Sequence, residues 1–355
     1  MRRALAIADR ASAATLWLIG LANILLLLAF LATLLFVGNA AHGAPAACTG
    51  TDMLAALEKS DPAKLASIRA EADGTPNGEG LLWRIDKAGT APSFLFGTMH
   101  MTDPRVIDLT PDARKAFDQS TAVVIETTDV LDEAAMMAEF MKNPDLMMFT
   151  DDTTLASLMS PDDARAAEAA LAKRGIPLAS VSKMKPWVLS AMVALPACEL
   201  ARKAQGAPVL DVRLAEQAKA AGKSIAGLET ARSQIEAMAS LPMEFHVKGL
   251  VDTLKLGDRM DDVIETMIVI YQRGETGMFW PFFRAVLPSD DTDAPGYSAF
   301  EETMINARNV GMAKNAAAFI DRGGAFIAVG ALHLPGSAGL VERLRTAGYT
   351  VTRAD

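Results

Sequence analysis

Phe94-Leu95-Phe96-Gly97-Thr98-Met99-His100 decides how this chain is read, because Phe326-Ile327-Ala328-Val329-Gly330-Ala331-Leu332-His333 repeats its pattern far downstream. Each is a short apolar run, then Gly, then two residues, then His. Such a run, bounded by turn formers, reads as a buried strand. Glycine at the strand end lets the chain turn sharply and lets another group approach the backbone. The chain has 4 histidines, and two of them fall at these matched positions.

Two further runs have a related ending. Val123-Val124-Ile125-Glu126-Thr127 and Ile225-Ala226-Gly227-Leu228-Glu229-Thr230 are apolar strands that finish in Glu-Thr. In open α/β sheets, ligand sites gather outside the carboxyl ends of the strands. Two imidazoles with one or two carboxylates make a mixed N/O set suited to Zn, Mn, Fe or Co. Such an ion lowers the pKa of a bound water to ~7, which makes hydroxide available for hydrolysis. A lone G-x-x-H carries little weight, since a strand-end His is often only hydrogen-bonded in a loop. The repetition gives the pattern its force. His246, in Phe245-His246-Val247, reads as a helix-surface or core histidine, and His42 as incidental.

Outward from these strands, the chain alternates helix and strand at both ends around a helical middle. Residues 52–72 read as helical. Residues 81–86 and 93–96 read as a hairpin across Lys87-Ala88-Gly89-Thr90. Thr110-Pro111-Asp112 opens a helix, with Thr as N-cap and Pro at the first helical position. Strands follow at 122–126, 224–227, 325–329 and 349–352. Helical blocks fill 132–221 and 231–322, and a last helix covers 339–347. Met238, Met243, Met260 and Met267 recur at helical spacing and read as core filler. Asp151-Asp152 and Asp290-Asp291 lack a Ca-loop pattern and read as solvated loops. The expected fold is α/β: a central mixed sheet flanked by helices, with a largely helical insertion.

At the amino terminus the chain runs without a charge from Thr15 to Val37, behind Arg2, Arg3 and Arg10. A basic start before an apolar run fits export, with the basic end staying inside. Residues 1–46 therefore read as a signal peptide or signal anchor, and 47–355 as an extracytoplasmic or periplasmic domain. A spanning helix needs ~20 apolar residues, which favours an anchor over 15–37. Ala44-Pro45-Ala46 offers an A-x-A-like cleavage site. The mean hydropathy of +0.20 is raised by this segment.

Compartment changes how the 2 cysteines read. An even pair beyond an export segment is a candidate disulfide, Cys48 with Cys198, against the alternative of two buried free thiols. The net charge of −9 argues against a nucleic-acid binder that relies on bulk positive charge. The chain contains no H-E-x-x-H, G-x-S-x-G, Walker A or G-x-G-x-x-G.

Several stretches together resemble the TraB/GumN family, which is related to the Tiki proteases and more distantly to the EreA/ChaN-like group. They are Leu82-Trp83-Arg84, Phe96 to His100, Val124 to Thr127, Lys185-Pro186-Trp187, Leu210-Asp211, Gly227 to Thr230, Arg308-Asn309 and Phe326 to Gly336. The resemblance implies a metal-dependent hydrolase of the peptidase type, acting on a peptide or protein. It implies His100, His333 and Glu126 as metal ligands, and Glu126 or Glu229 as general base. Mn or Co is favoured over Zn. Family members often carry Glu-Arg-Asn in the last long helix. Here Ala307 replaces the acid, and Arg308 remains as a candidate stabiliser of anionic charge. The ChaN-like relatives imply an alternative, a haem- or metal-binding module, and a non-catalytic member is a third reading.

Overall fold

The expected hairpin forms. β1 (Leu82–Asp86) and β2 (Ser93–Thr98) pair antiparallel, with Trp83 opposite Leu95 and Arg84 opposite Phe94. Every residue of β2 is buried, as its unbroken apolar run requires. The computed structural model describes residues 48–286 and 294–355. The apolar run 15–37, its export and cleavage readings, His42 and Asp290-Asp291 lie outside the described residues. Among the described residues, no helix is long and apolar enough to cross a membrane.

Four more strands complete a mixed sheet: β3 (Ala122–Ile125), β4 (Ser224–Gly227), β5 (Ala325–Gly330) and β6 (Thr350–Arg353). The order is β4-β3-β5-β2-β1-β6. β4, β3, β5 and β2 run parallel, so their carboxyl ends share one edge. β1 runs against both of its neighbours. β5 slots between β3 and β2, with Val123 beside Phe326 and Leu95 beside Ile327.

Alternation along the strands divides the core in two. Phe94, Phe96, Val123, Ile125, Phe326 and Ala328 face one layer, packed with Leu210, Leu214, Phe279 and Phe282. Leu95, Val124, Ile327 and Val329 face the other, packed with Met312, Ile320, Leu340 and Leu344. This is the period-2 consequence of a sheet covered on both faces. The helical insertion keeps a smaller core of its own, where Leu155, Leu171, Leu189, Leu250 and Leu254 meet. Of the methionines at helical spacing, Met260 and Met267 pack in the main core, while Met238 and Met243 are only half-buried.

Local signals set the helix starts. The Thr110 side chain accepts from Ala113 N–H, and that of Ser160 from Asp163 N–H, each just ahead of a first-turn proline. The last long helix starts inside the block read as helical over 231–322. It begins at Ala294, passes through a π turn at Glu302–Asn306, and continues as Ala307–Ile320. No Gly or Pro marks the π turn in the sequence. Such insertions often re-aim side chains at functional sites, and this one immediately precedes Arg308.

Cys48 and Cys198 are joined, with Cα atoms 5.3 Å apart. Beyond the bridge, the chain is stitched to the helix Arg259–Gln272. Thr51 N–H donates to Asp262 at 2.7 Å and Met53 N–H to Thr266 at 2.8 Å.

Candidate active site

The four parallel strands deliver the expected residues to one edge. Read across the sheet they are Glu229 after β4, Glu126 after β3, His333 after β5 and His100 after β2. The two G-x-x-H motifs are one residue out of step. β2 pairs Thr98, not Gly97, with Gly330. The histidines accordingly differ in depth: the His333 side chain is 4% exposed and that of His100 57%.

Each imidazole is held at Nδ1. His100 Nδ1 lies 2.8 Å from Asp211 Oδ2, and His333 Nδ1 lies 2.7 Å from Asn309 Oδ1. Both Nε2 atoms then face the same carboxylate oxygen, Glu126 Oε1, at 3.8 Å each. Fixing one ring nitrogen to orient the other is how metal-ligating histidines are usually supported.

Glu126 Oε1 also accepts Gly330 N–H at 2.7 Å. Its Oε2 accepts from Arg308 Nη2 at 2.6 Å and Gln234 Nε2 at 2.9 Å. Arg308 Nη2 and Nε further donate to Glu229 Oε2 at 2.7 and 3.0 Å, and Nη1 to Met304 O at 3.0 Å. One buried guanidinium thus binds both glutamates. Burial alone would raise the Glu126 pKa. The charges of His333, His100 and Arg308, with the Gly330 N–H, outweigh burial and hold it at about 2. Asp211 draws the His100 pKa up to about 9. That ring is open to water, which screens part of the attraction. Burial drives His333 down to about 4, so its ring is uncharged at neutral pH and carries charge only in the acid range where Glu126 titrates.

Among the described residues, no group of three or more His, Cys, Asp or Glu side chains is arranged to hold a metal ion. The expected triad of His100, His333 and Glu126 is brought together, with both Nε2 atoms 3.8 Å from Oε1 and Gly330 N–H on the same oxygen. The donors themselves fit an ion, since two Nε2 atoms and a carboxylate oxygen surround one spot. Gly330 borders that spot. A Cβ there would meet Glu126 Oε1 at 3.2 Å, His333 Cδ2 at 3.5 Å and His100 Nε2 at 3.6 Å. Only glycine keeps the space clear.

The TraB/PrgY/gumN family pattern matches residues 81–353, which include every residue of the site. The chain belongs to the TraB/PrgY/gumN family. Metalloprotease TIKI2 of Danio rerio is 25% identical over 317 residues, covering 76% of this chain and 60% of that protein. Metalloprotease TIKI1 of Danio rerio is 26% identical over 310 residues, covering 76% and 62%. Metalloprotease TIKI1 of Homo sapiens is 25% identical over 339 residues, covering 81% and 66%. The chain therefore spans about three fifths to two thirds of these curated relatives' lengths. No solved structure matches.

In this TraB/PrgY/gumN chain the structure adds residues that the strand-end pattern did not single out. Asp211 sits in the first turn of the helix Leu210–Ala220, and its second oxygen accepts the Thr98 hydroxyl at 2.8 Å. Asn309 is wholly buried and spans from His333 to Ala338 O, donating there at 2.9 Å. Gln234 bridges Glu126 and Glu229. Asp211 and Asn309 lie in stretches that carry the family resemblance, which was the available signal. Gln234 had none.

The loop after His100 is fixed from the side of the disulfide. Glu199, on the same helix as Cys198, is completely buried. It accepts Thr102 N–H and the Thr102 hydroxyl, both at 2.8 Å. Arg202 completes the network, donating to Glu199 at 2.8 Å and to Thr102 Oγ1 at 3.0 Å. Its Nη2 also touches Cys48 Sγ at 3.4 Å.

Proposed function

We propose that this protein is a metal-dependent hydrolase of the peptidase type that works outside the cytoplasm. The observation that carries the proposal is the convergence of His100 Nε2 and His333 Nε2 on Glu126 Oε1 at the carboxyl edge of the sheet. The metalloprotease names of the relatives support it. His100, His333 and Glu126 would hold a divalent transition metal, Mn, Co or Zn. When bound, such an ion supplies Lewis acidity toward water and a substrate carbonyl.

The surrounding residues have separable tasks. Asp211 and Asn309 hold the two rings with Nε2 forward. Glu229 spends its carboxylate on Arg308 and Gln234, so its task is to hold Arg308 rather than to take a proton. Glu126 is the carboxylate next to both imidazoles, and Gly330 N–H, Arg308 and Gln234 fix it there as a ligand. Arg308 places a fixed positive charge beside it, where negative charge develops on a tetrahedral intermediate. Substrate is a peptide or protein, and nucleic acid is disfavoured by the charge of −9. The disulfide and the apolar run 15–37 support an extracytoplasmic location, with the run as membrane anchor when it is retained.

The test is metal analysis and peptide cleavage by the purified full-length protein after Mn²⁺ repletion. His100→Ala and His333→Ala should each lose both bound metal and cleavage while the circular dichroism spectrum stays native. Full cleavage in both variants would overturn the proposal. A fusion that reports compartment, placed after residue 47, tests the location separately.

A further inference from the structure

A second set of polar groups lies next to the site without belonging to it. A cavity of about 200 Å³ opens between the helix Phe279–Val286, the π turn and the loop after His333. Its walls include Trp280, Glu301, Thr276, Asn306, Leu332 and Ser337. Leu332 directly precedes His333, and Asn306 is two residues before Arg308. The same loop reaches Ala338, whose carbonyl receives the Asn309 amide that steadies His333. The cavity and the site share a wall.

Its chemistry is selective. Thr276 is 1% exposed, and its hydroxyl has no hydrogen-bond partner among the described residues. A buried polar group without a partner is costly, which makes it a place where an occupant gains. Glu301 is half-buried and has no ion-pair partner among the described residues. The other charges on the wall, Arg284 and Glu71, neutralise each other in an ion pair. Trp280 is braced by Phe283 at 6.4 Å and Phe300 at 6.0 Å. Its ring therefore stays in place as a surface for a cation.

We infer that this cavity binds an alkylammonium or guanidinium group, the basic side chain of a bound peptide. An anionic group would face Glu301 uncompensated. A purely apolar one would bury Glu301 and leave the Thr276 hydroxyl unanswered. A cation satisfies the carboxylate, the hydroxyl and the indole together. The role as a substrate subsite rests on the peptidase reading, whereas the binding of the cation does not.

The experiment uses the full-length protein, metal-free, titrated by NMR with Nα-acetyl-lysine N-methylamide and with its neutral match, Nα-acetyl-norleucine N-methylamide. Wild type should bind the lysine probe at least tenfold more tightly. Glu301→Gln should abolish that preference, and Thr276→Val should weaken lysine binding several-fold. Equal affinity for both probes, no binding of either, or a preference that survives Glu301→Gln would each overturn the inference. In cleavage assays Glu301→Gln should raise KM for lysine-containing peptides and leave kcat unchanged. Lysine binding without any peptide cleavage would instead count against the peptidase reading alone.

Discussion

Asp211 uses one carboxylate oxygen to hold His100 Nδ1 and the other to accept the Thr98 hydroxyl, both at 2.8 Å. It couples the end of β2 to the start of a helix more than a hundred residues later. Partners that orient a ligating imidazole are worth roughly 10–100-fold in metal affinity. Asp211→Asn should therefore weaken Mn²⁺ binding by about that factor with the fold intact, as measured by competitive metal titration. Unchanged affinity would mean that the His100 ring is oriented by something else.

Arg308 bridges Glu126 and Glu229, pairing with both. Removing one partner of a buried ion pair typically costs about 3–5 kcal/mol. Arg308→Ala should shift the urea midpoint by an amount in that range. Glu229→Gln, which keeps a hydrogen-bond acceptor for the guanidinium, should cost clearly less. Equal losses in the two variants would contradict the bridging role.

The neutral state of His333 makes metal-free stability depend on pH. An unfolded His takes up a proton near its ordinary 6.5, whereas folded His333 resists until about 4. Between these values the unfolded state binds more protons, so stability falls as pH is lowered. The shift corresponds to up to about 3 kcal/mol. Urea melts of the metal-free protein from pH 7 to pH 4 should show the decline, and His333→Gln should flatten it. A decline of the same size in that variant would assign it to other groups.

The disulfide closes a loop across 150 residues of sequence. Loss of such a bridge typically costs about 2–5 kcal/mol. Through Glu199 and Arg202 the effect should also reach the His100 loop. Cys48→Ser with Cys198→Ser should lower stability by that amount and speed amide exchange at Thr102. Exchange that quickens everywhere except at Thr102 would show that the loop is held independently of the bridge.

How much of this was legible beforehand follows from what period and spacing can encode. Apolar strands followed by His or Glu stand out along the chain, and parallel strands put their ends on one edge. Glu126, Glu229, His100 and His333 were therefore readable without coordinates. Cys48 and Cys198 were readable from compartment and an even count. Asp211, Asn309 and Gln234 reach the site from helices, where a polar residue looks like any solvated position. The π turn before Arg308 has no sequence marker at all. Spacing also cannot show that Gly330 N–H binds the Glu126 oxygen that both imidazoles face.

The position of β5 between β3 and β2 also governs the order in which this molecule can assemble. Until residues 325–330 exist, β1–β2 and β3–β4 are two separate ribbons with unpaired edges facing each other. Pairings this distant in sequence are slow to form and leave those edges exposed meanwhile. His100 and Glu126 are then present but unacquainted, and they meet only when the strand that brings His333 arrives. Completion of the sheet and assembly of the His-Glu cluster are one event, so a partly folded chain carries no such cluster.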